Sequence, residues 1–532
     1  MNSWIKEKDV TKIDKLEEKL FGWITPKRLA MILTVVYALS LIPLLVIAKY
    51  NFPSADDYGH ASSAHLTWLE TGNVFATIWA GIQRGIYEWI NWEGYYTCDI
   101  MTALPPSVFG EGCYWIVTYI VLSMLTISTI YLFHVIFVKV FRYDKYLSRC
   151  ITMIYLFTSV QCLSVEGRVE AFYWFSGAVN YVFIHSLANF YFGLMIVLAM
   201  KCNEKIKCTG RMIGTAVLGF VVAGGNQITM LNVGIILLFA IVMISYHKAW
   251  KVMKPLIVPM IVYYVGMMLN MFAPGNDIRA MVSQGMNPIK AIAFALMYGL
   301  ELCVGDWTTW GVIMALVIIA VLSWKMTAHS DFSYPCPLIV ILLGYCITSA
   351  MMAPSLFAVS SKEAGRIQAV TYFMFLMTSI FSIVYVMGWL RYGYDQIVTE
   401  KCNKASDTGS AAEAKEELQL FQPTYRWILV FAAAFLLVGS VLCIANDSHY
   451  YAWASAITDL VSGDATEYQN QMDARLEIMY SGKSGVLELE PLTVHPKLLY
   501  FSDITTDVNA WENDGMKRFL GVDGVVLKDI TK

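Results

Sequence analysis

The sequence predicts an all-α polytopic membrane protein, with about eleven transmembrane helices and a small α+β extracytoplasmic domain at the C-terminus. Three observations carry this: the composition, the length of the apolar runs and the placement of Lys and Arg. Of 532 residues, 57% are hydrophobic and only 15% charged, where a soluble domain carries ~25% charged residues. The mean hydropathy is +0.54. Polar stretches punctuate apolar runs of roughly 17–24 residues, the length that crosses a ~30 Å hydrocarbon core.

The spans are expected at Leu29–Lys49, Tyr114–Val138, Ala178–Met200, Val370–Leu390 and Trp427–Ala445, with weaker or shorter runs at Cys150–Val165, Met212–Ala223, Leu231–Ser245, Pro255–Phe272, Thr308–Trp324 and Pro337–Ala353. Ala291–Cys303 is too short to be secure and runs into the polar break Gly305–Asp306.

Short cytoplasmic loops are enriched in Lys and Arg. With the N-terminus inside, the basic clusters Lys6 to Arg28, Arg142/Lys145/Arg149, Lys201/Lys205/Lys207/Arg211, Lys248/Lys251/Lys254 and Arg391 to Arg426 all fall inside. A crossing at Ala291–Cys303 would invert the last of these, so that run is expected to be re-entrant or interfacial on the outer side. Residues 1–28 then form a cytoplasmic segment, 29–445 the transmembrane domain with an outer loop at 50–113, and 446–532 the extracytoplasmic domain. That domain is expected to hold a helix around Ala454–Met479 and strand-like runs at Val486–Leu489 and Leu498–Phe501. Asp9–Leu20 reads as a charged surface helix, and Lys401–Glu417 as a cytoplasmic connector. A cleavable signal is not expected, because the charged stretch is long and no small-residue cleavage site follows the first span.

A net charge of −3 supplies no basic face, so nucleic acid is not an expected partner. The eleven cysteines are scattered without C-x-x-C, as small apolar packers are. Cys98 and Cys113 share the outer loop and are a candidate pair, for which sequence cannot supply the geometry. There is no Walker A and no Gly-rich turn after a strand, which disfavours nucleotide-dependent chemistry, and no metal-binding H-E-x-x-H.

The chemistry-capable residues gather on the outer side. Pro53-Ser54-Ala55-Asp56-Asp57-Tyr58 follows the first span, and adjacent carboxylates can supply a general base, one pKa being raised by the other charge. Ser54 and Asp57 also fit a capping box. Successive helical residues point about 100° apart, so Asp57 can cap while Asp56 faces a substrate.

Together Ser54-Ala55-Asp56-Asp57-Tyr58, Asn91-Trp92-Glu93-Gly94-Tyr95-Tyr96, Phe172-Tyr173-Trp174-Phe175-Ser176-Gly177-Ala178-Val179-Asn180-Tyr181, Gly224-Gly225-Asn226-Gln227 and Ala273-Pro274-Gly275-Asn276-Asp277-Ile278-Arg279 resemble an uncharacterised bacterial multi-pass family assigned to the GT-C superfamily of membrane glycosyltransferases. The region Trp511-Glu512-Asn513 is similar too, so the resemblance covers nearly the whole chain. It implies a bacterial cytoplasmic-membrane enzyme that takes a sugar from a polyprenyl-phosphate donor at the outer face. The acceptor would be a cell-envelope glycan or a lipid-linked molecule, with membrane lipid as the surroundings.

The resemblance further implies that Asp56, with Asp57 beside it, deprotonates the acceptor hydroxyl, and that Arg279, Arg366 and Arg168 hold the departing phosphate through bidentate contacts. His60, Trp92, Glu93, Glu170, Trp174, Asn180, Asn226, Gln227 and Asn276 are expected to line the substrate. Several have a plainer reading: interface anchors for the arginines, a helical pair for Arg366 with Glu363, aromatic belts for Trp92 and Trp174, turns or joins between spans for Asn276, Asn226 and Gln227. His60 and His65 lie five apart with carboxylates near, so no cofactor is certain and a divalent cation stays open. The alternative functions are a carrier or flippase for a lipid-linked or polar solute, and a non-catalytic scaffold that binds the cell wall.

Overall fold

The computed structural model describes residues 19–202, 208–328, 330–407, 425–482 and 485–529. Most of the surface helix expected at Asp9–Leu20 and of the connector expected at Lys401–Glu417 lies outside these residues. In chain order the helices are α1 (Pro26–Ile47), α2 (Asp56–Thr71), α3 (Val74–Asn91), α4 (Tyr96–Thr102), α5 (Ile116–Phe133), α6 (Lys145–Gln161), α7 (Val165–Arg168), α8 (Ile184–Cys202), α9 (Thr209–Ala223) and α10 (Gln227–Tyr246). There follow α11 (Ile257–Met271), α12 (Pro274–Val282), α13 (Pro288–Val304), α14 (Trp310–Met326), α15 (Pro337–Ala350), α16 (Ala353–Val359), α17 (Gly365–Asp407), α18 (Tyr425–Asn446), α19 (Ala452–Ser462), α20 (Asp464–Met479) and α21 (Trp511–Leu520). Single turns at Phe175–Gly177 and Trp250–Met253 lead into α8 and α11.

The fold is overwhelmingly helical. Among the described residues, eight helical stretches are long and apolar enough to cross a membrane: those holding α1, α5, α8, α10, α11, α15 with α16, α17 and α18. Helices α9 and α14 are shorter and apolar, and α6 joins the following Val165–Tyr173 piece across a bend of 104°. The helix starts are set locally by side-chain caps. Thr25 accepts from Arg28 N, Asp144 from the N–H groups of Tyr146 and Leu147, and Asn226 from Thr229 N. The central core packs Phe133, Tyr155, Phe172 and Phe373, all buried. Leu437, Val441 and Leu442 on α18 are exposed, as suits a surface solvated by lipid rather than water.

Helix α13 covers the run expected to be re-entrant or interfacial. Met286 N, just before it, donates to Leu356 O at 3.1 Å, and Ser360 Oγ donates to Gln284 O at 2.8 Å. Near its far end Glu301 Oε2 pairs with Lys362 Nζ at 2.9 Å. Both ends are therefore tied to the same short segment, 356–362.

After α18 the expected single helix is two, α19 and α20, broken at Gly463, whose φ of 88° is left-handed. Strand β1 (Val486–Leu489) pairs in parallel with β2 (Gly524–Leu527), in register Val486↔Gly524. Leu498–Phe501 is not a strand: Leu498 and Leu499 are buried in a turn, and Phe501 stacks on Trp174 at 4.0 Å between ring centres. Arg475 holds Asp503 through two bonds of 2.8 Å. The candidate disulfide does not form: Cys98 and Cys113 are both free, and the Cys98 thiol is buried against Asn180 O.

Candidate functional site

Three sequence motifs converge where α3, α12 and α17 begin or end. The Asn91–Gly94 turn and the Ala273–Arg279 segment pack face to face. Asn276 Oδ1 accepts Gly94 N at 3.0 Å, while its Nδ2 donates to Asn270 O at 2.7 Å and Met271 O at 3.1 Å. The approach demands glycine: a Cβ on Gly275 would lie 2.6 Å from Glu93 N, and one on Gly94 2.0 Å from Asn270 O. This interlock puts Arg279 in an ion pair with Glu93 and its guanidinium 5.5 Å from the centre of the Trp92 ring.

Arg366 is delivered from the other side. Glu170, on the turn Val169–Tyr173, accepts the backbone N–H groups of Gly365 and Arg366 at 3.0 and 3.2 Å, and Arg366 Nη1 at 2.7 Å. The carboxylate thus caps the start of α17 and aims its first arginine. The Arg366 guanidinium lies 5.2 Å from the Trp174 ring centre and 5.8 Å from that of Tyr181.

These groups line one cavity of about 320 Å³, at the small end of the roughly 300–1,000 Å³ typical of ligand sites. Asp56, His60, Trp92, Glu93, Trp174, Asn180, Arg279 and Arg366 all contribute to it, so eight of the residues singled out by sequence share one space. Asp56 and His60 sit one helical turn apart on α2. Ala55 just before them has φ 50° and ψ −123°, a conformation that costs a non-glycine residue about 1–3 kcal/mol and turns the chain into α2.

The other expected residues stand elsewhere. Asp57 does not face the cavity; it is fully buried, with Oδ1 accepting Ser176 N at 3.0 Å and Ser176 Oγ at 2.6 Å, and Oδ2 accepting Ser54 N at 3.3 Å and the Tyr114 hydroxyl. Burial pushes its carboxyl up to about 6, and those four donors hold it from rising further. Arg168, expected as a phosphate ligand, does not reach this cavity. Only 2% exposed, it bonds His449 O at 2.7 Å and Tyr450 O at 2.6 Å, fastening the segment after α18. Asn226 caps α10 and donates to Asn180 O; Gln227 Nε2 reaches Asn276 Oδ1 at 3.4 Å. These two and Asn276 hold the motifs together and do not line the cavity. Trp174 lines it, but Phe501 already covers its ring and its Nε1 donates to Ser54 O at 3.1 Å.

Part of the wall lies beyond the residues expected to line the substrate. Arg84 pairs with Glu88, and His60 Nδ1 stands 3.6 Å from the same carboxylate. Burial pushes the Glu88 carboxyl up, but His60 and Arg84 outweigh it and hold the group below its ordinary range. Behind it, burial and then the Glu88 charge drive the Asp99 carboxyl well above its ordinary range. From the far C-terminus Trp511, Asp514, Gly515 and Arg518 complete the lining. The i, i+4 spacing of Arg84 with Glu88 and of Asp514 with Arg518 was the available signal.

The electrostatics divide the cavity. Of its four lining carboxylates, Glu88, Glu93 and Asp514 each pair with an arginine. Among the described residues Asp56 alone of the four has neither an ion-pair nor a hydrogen-bond partner. Burial, and then the charge of Arg366, lower the Arg279 guanidinium, while Asp56 supports its charge. Two arginines that repel each other across a cavity make a site that an anion relieves.

No group of three or more His, Cys, Asp or Glu among the described residues is placed to hold a metal ion. His65 is turned away, its ring stacked on Phe519 at 3.8 Å between centres and Nδ1 bonded to Val108 O at 3.0 Å. His60 and His65 therefore do not form a divalent-cation site together. No family model, curated protein or solved structure matches the chain.

Proposed function

We propose that the protein is a membrane glycosyltransferase of the GT-C type that moves a sugar from a polyprenyl-phosphate donor to a cell-envelope acceptor at the outer face of a bacterial cytoplasmic membrane. The observation that carries the reading is Asp56, a carboxylate with neither an ion-pair nor a hydrogen-bond partner among the described residues, in the same cavity as Arg279 and Arg366. Asp56 takes the acceptor hydroxyl proton. The acceptor oxygen forms the new bond to the anomeric carbon as the bond to the phosphate oxygen breaks. The electron pair leaves with the polyprenyl phosphate, held by the two guanidiniums.

The topology assigned with this is eleven crossings, with N-terminus inside and C-terminus outside. It takes the eight long apolar stretches, α9, α14 and α6 as spans and leaves α13 on the outer surface. Both ends of α13 meeting segment 356–362 supports that choice. Residues after Asn446 then form the extracytoplasmic domain.

Protein in lipid vesicles, given polyprenyl-phosphate sugar on the outer-facing side, is expected to release polyprenyl phosphate in a reaction that needs Asp56 and no nucleotide. A carrier is the second reading, favoured by His185, buried mid-span with Nε2 unpartnered. Intact donor recovered across the vesicle, with none broken down, selects the carrier and rejects the transferase.

A further inference from the structure

Helix α21 lies more than sixty residues beyond the last apolar helix, yet it forms a wall of the cavity. It is locked in place. Gly515 packs on Gly59 of α2 so closely that a Cβ there would sit 3.3 Å from Gly59 N. Phe519 stacks on His65 and meets the edge of Tyr58 at 5.1 Å, and buried Asn513 bonds Thr505 N, Thr505 O and Val525 O. The face so fixed presents Trp511, Asp514 and Arg518, spaced three and four apart, toward the cavity. A Cβ on Gly59 would lie 3.5 Å from Arg518 Nη2, which places that guanidinium against α2 three residues from Asp56.

The chemistry of this wall differs from that of Arg279 and Arg366. Arg518 is the one guanidinium of this wall and is paired with Asp514 Oδ2 at 3.0 Å; Arg279 and Arg366 are paired too, with Glu93 and Glu170, but stand as two guanidiniums close enough to repel, the arrangement that favours a phosphate. An exposed Asp–Arg pair offers both acceptors and donors, the complement of a hydroxyl group, which is itself both. Trp511, 56% exposed, adds a flat amphipathic ring. We infer that Trp511, Asp514 and Arg518 form the acceptor subsite, and that the acceptor is an uncharged, hydroxyl-rich glycan presented from the aqueous side. This rests on the transferase reading. It narrows the acceptor from two classes to one: a phosphorylated lipid carrier needs an anion site that this wall does not supply.

The test uses the full chain in lipid nanodiscs with polyprenyl-phosphate hexose, and two acceptor preparations from the same cell envelopes: delipidated, phosphate-stripped glycan, and extracted lipid-linked oligosaccharide. The sugar is expected on the glycan. Trp511→Ala and Arg518→Ala are each expected to raise the glycan concentration at half-maximal rate about tenfold, the effect of losing one anchoring side chain. The donor concentration at half-maximal rate should move far less. Both residues are at the surface, so the variants are expected to fold, and Trp511→Phe should recover part of the loss. Transfer to the lipid-linked fraction alone overturns the inference, as does an unchanged half-maximal glycan concentration in both variants. If the donor is not broken down with either preparation, the transferase reading falls, and the subsite with it.

Discussion

Glu170 Oε2 lies 2.7 Å from Arg366 Nη1, while the same carboxylate accepts the first two backbone N–H groups of α17. One side chain thus caps the start of a helix and aims a cation. Glu170→Ala leaves three donors without a partner and is expected to lower unfolding free energy by about 2–3 kcal/mol, with Glu170→Gln recovering part. Thermal unfolding in detergent reads this. Arg366→Ala should weaken donor binding, and Arg366→Lys restore it only partly, because an ammonium keeps the charge and loses the planar fork.

Adjacent carboxylates should separate cleanly in function. Asp56→Asn is expected to leave the melting temperature near that of the parent and to cut transfer ~10²–10⁴-fold, the cost of losing a general base. Asp57→Ala orphans Ser54 N, Ser176 N and the Tyr114 hydroxyl, and is expected to destabilise by about 3 kcal/mol. Near-normal transfer by Asp56→Asn would move the base to another lining carboxylate, with Glu93 first to examine.

Much of this site was legible because its parts are local. The Asp56/Asp57 division follows from a 100° helical step and a capping box. The helical step appears, with Asp56 on the cavity side, but only half of the capping box does: Ser54 N donates to Asp57 Oδ2, while Ala55 is the N-cap and no side chain caps the helix. Long-range placement was not legible. Arg168 and Arg366 look alike in sequence as outer-side cations, yet one is buried against His449 O and Tyr450 O and the other faces the cavity. What distinguishes them is which chain segment returns to meet them, and no periodicity encodes that. The same holds for α21, whose docking on α2 depends on Gly59 meeting Gly515 across more than 450 positions.

Asp57 also sets a pH dependence. Its folded carboxyl titrates at about 6 against an ordinary value of 3.8. Between those values the folded chain keeps a proton that the unfolded chain has released, so this contribution to stability falls as pH rises through the window and is flat above it. The full swing is about 3 kcal/mol. Melting temperature measured from pH 4 to pH 7 should carry this decline in the parent and lose it in Asp57→Asn. An unchanged slope in the variant would assign the titration to another group.

Topology gives the last test, through two exposed positions that the eleven-crossing arrangement puts on opposite sides. Cys336 lies in the connection between α14 and α15 and is exposed. Val461, 81% exposed on α19, follows the last apolar helix. Counting crossings from an inside N-terminus puts the α14–α15 connection in the cytoplasm and α19 outside, the parity that keeps the basic clusters inside. In a background without other cysteines, a membrane-impermeant thiol reagent should label Val461→Cys in intact cells. It should reach Cys336 only after permeabilisation. Labelling of Cys336 in intact cells would require an odd number of further crossings before it, and α13, which this topology keeps at the surface, is the helix that would have to supply one.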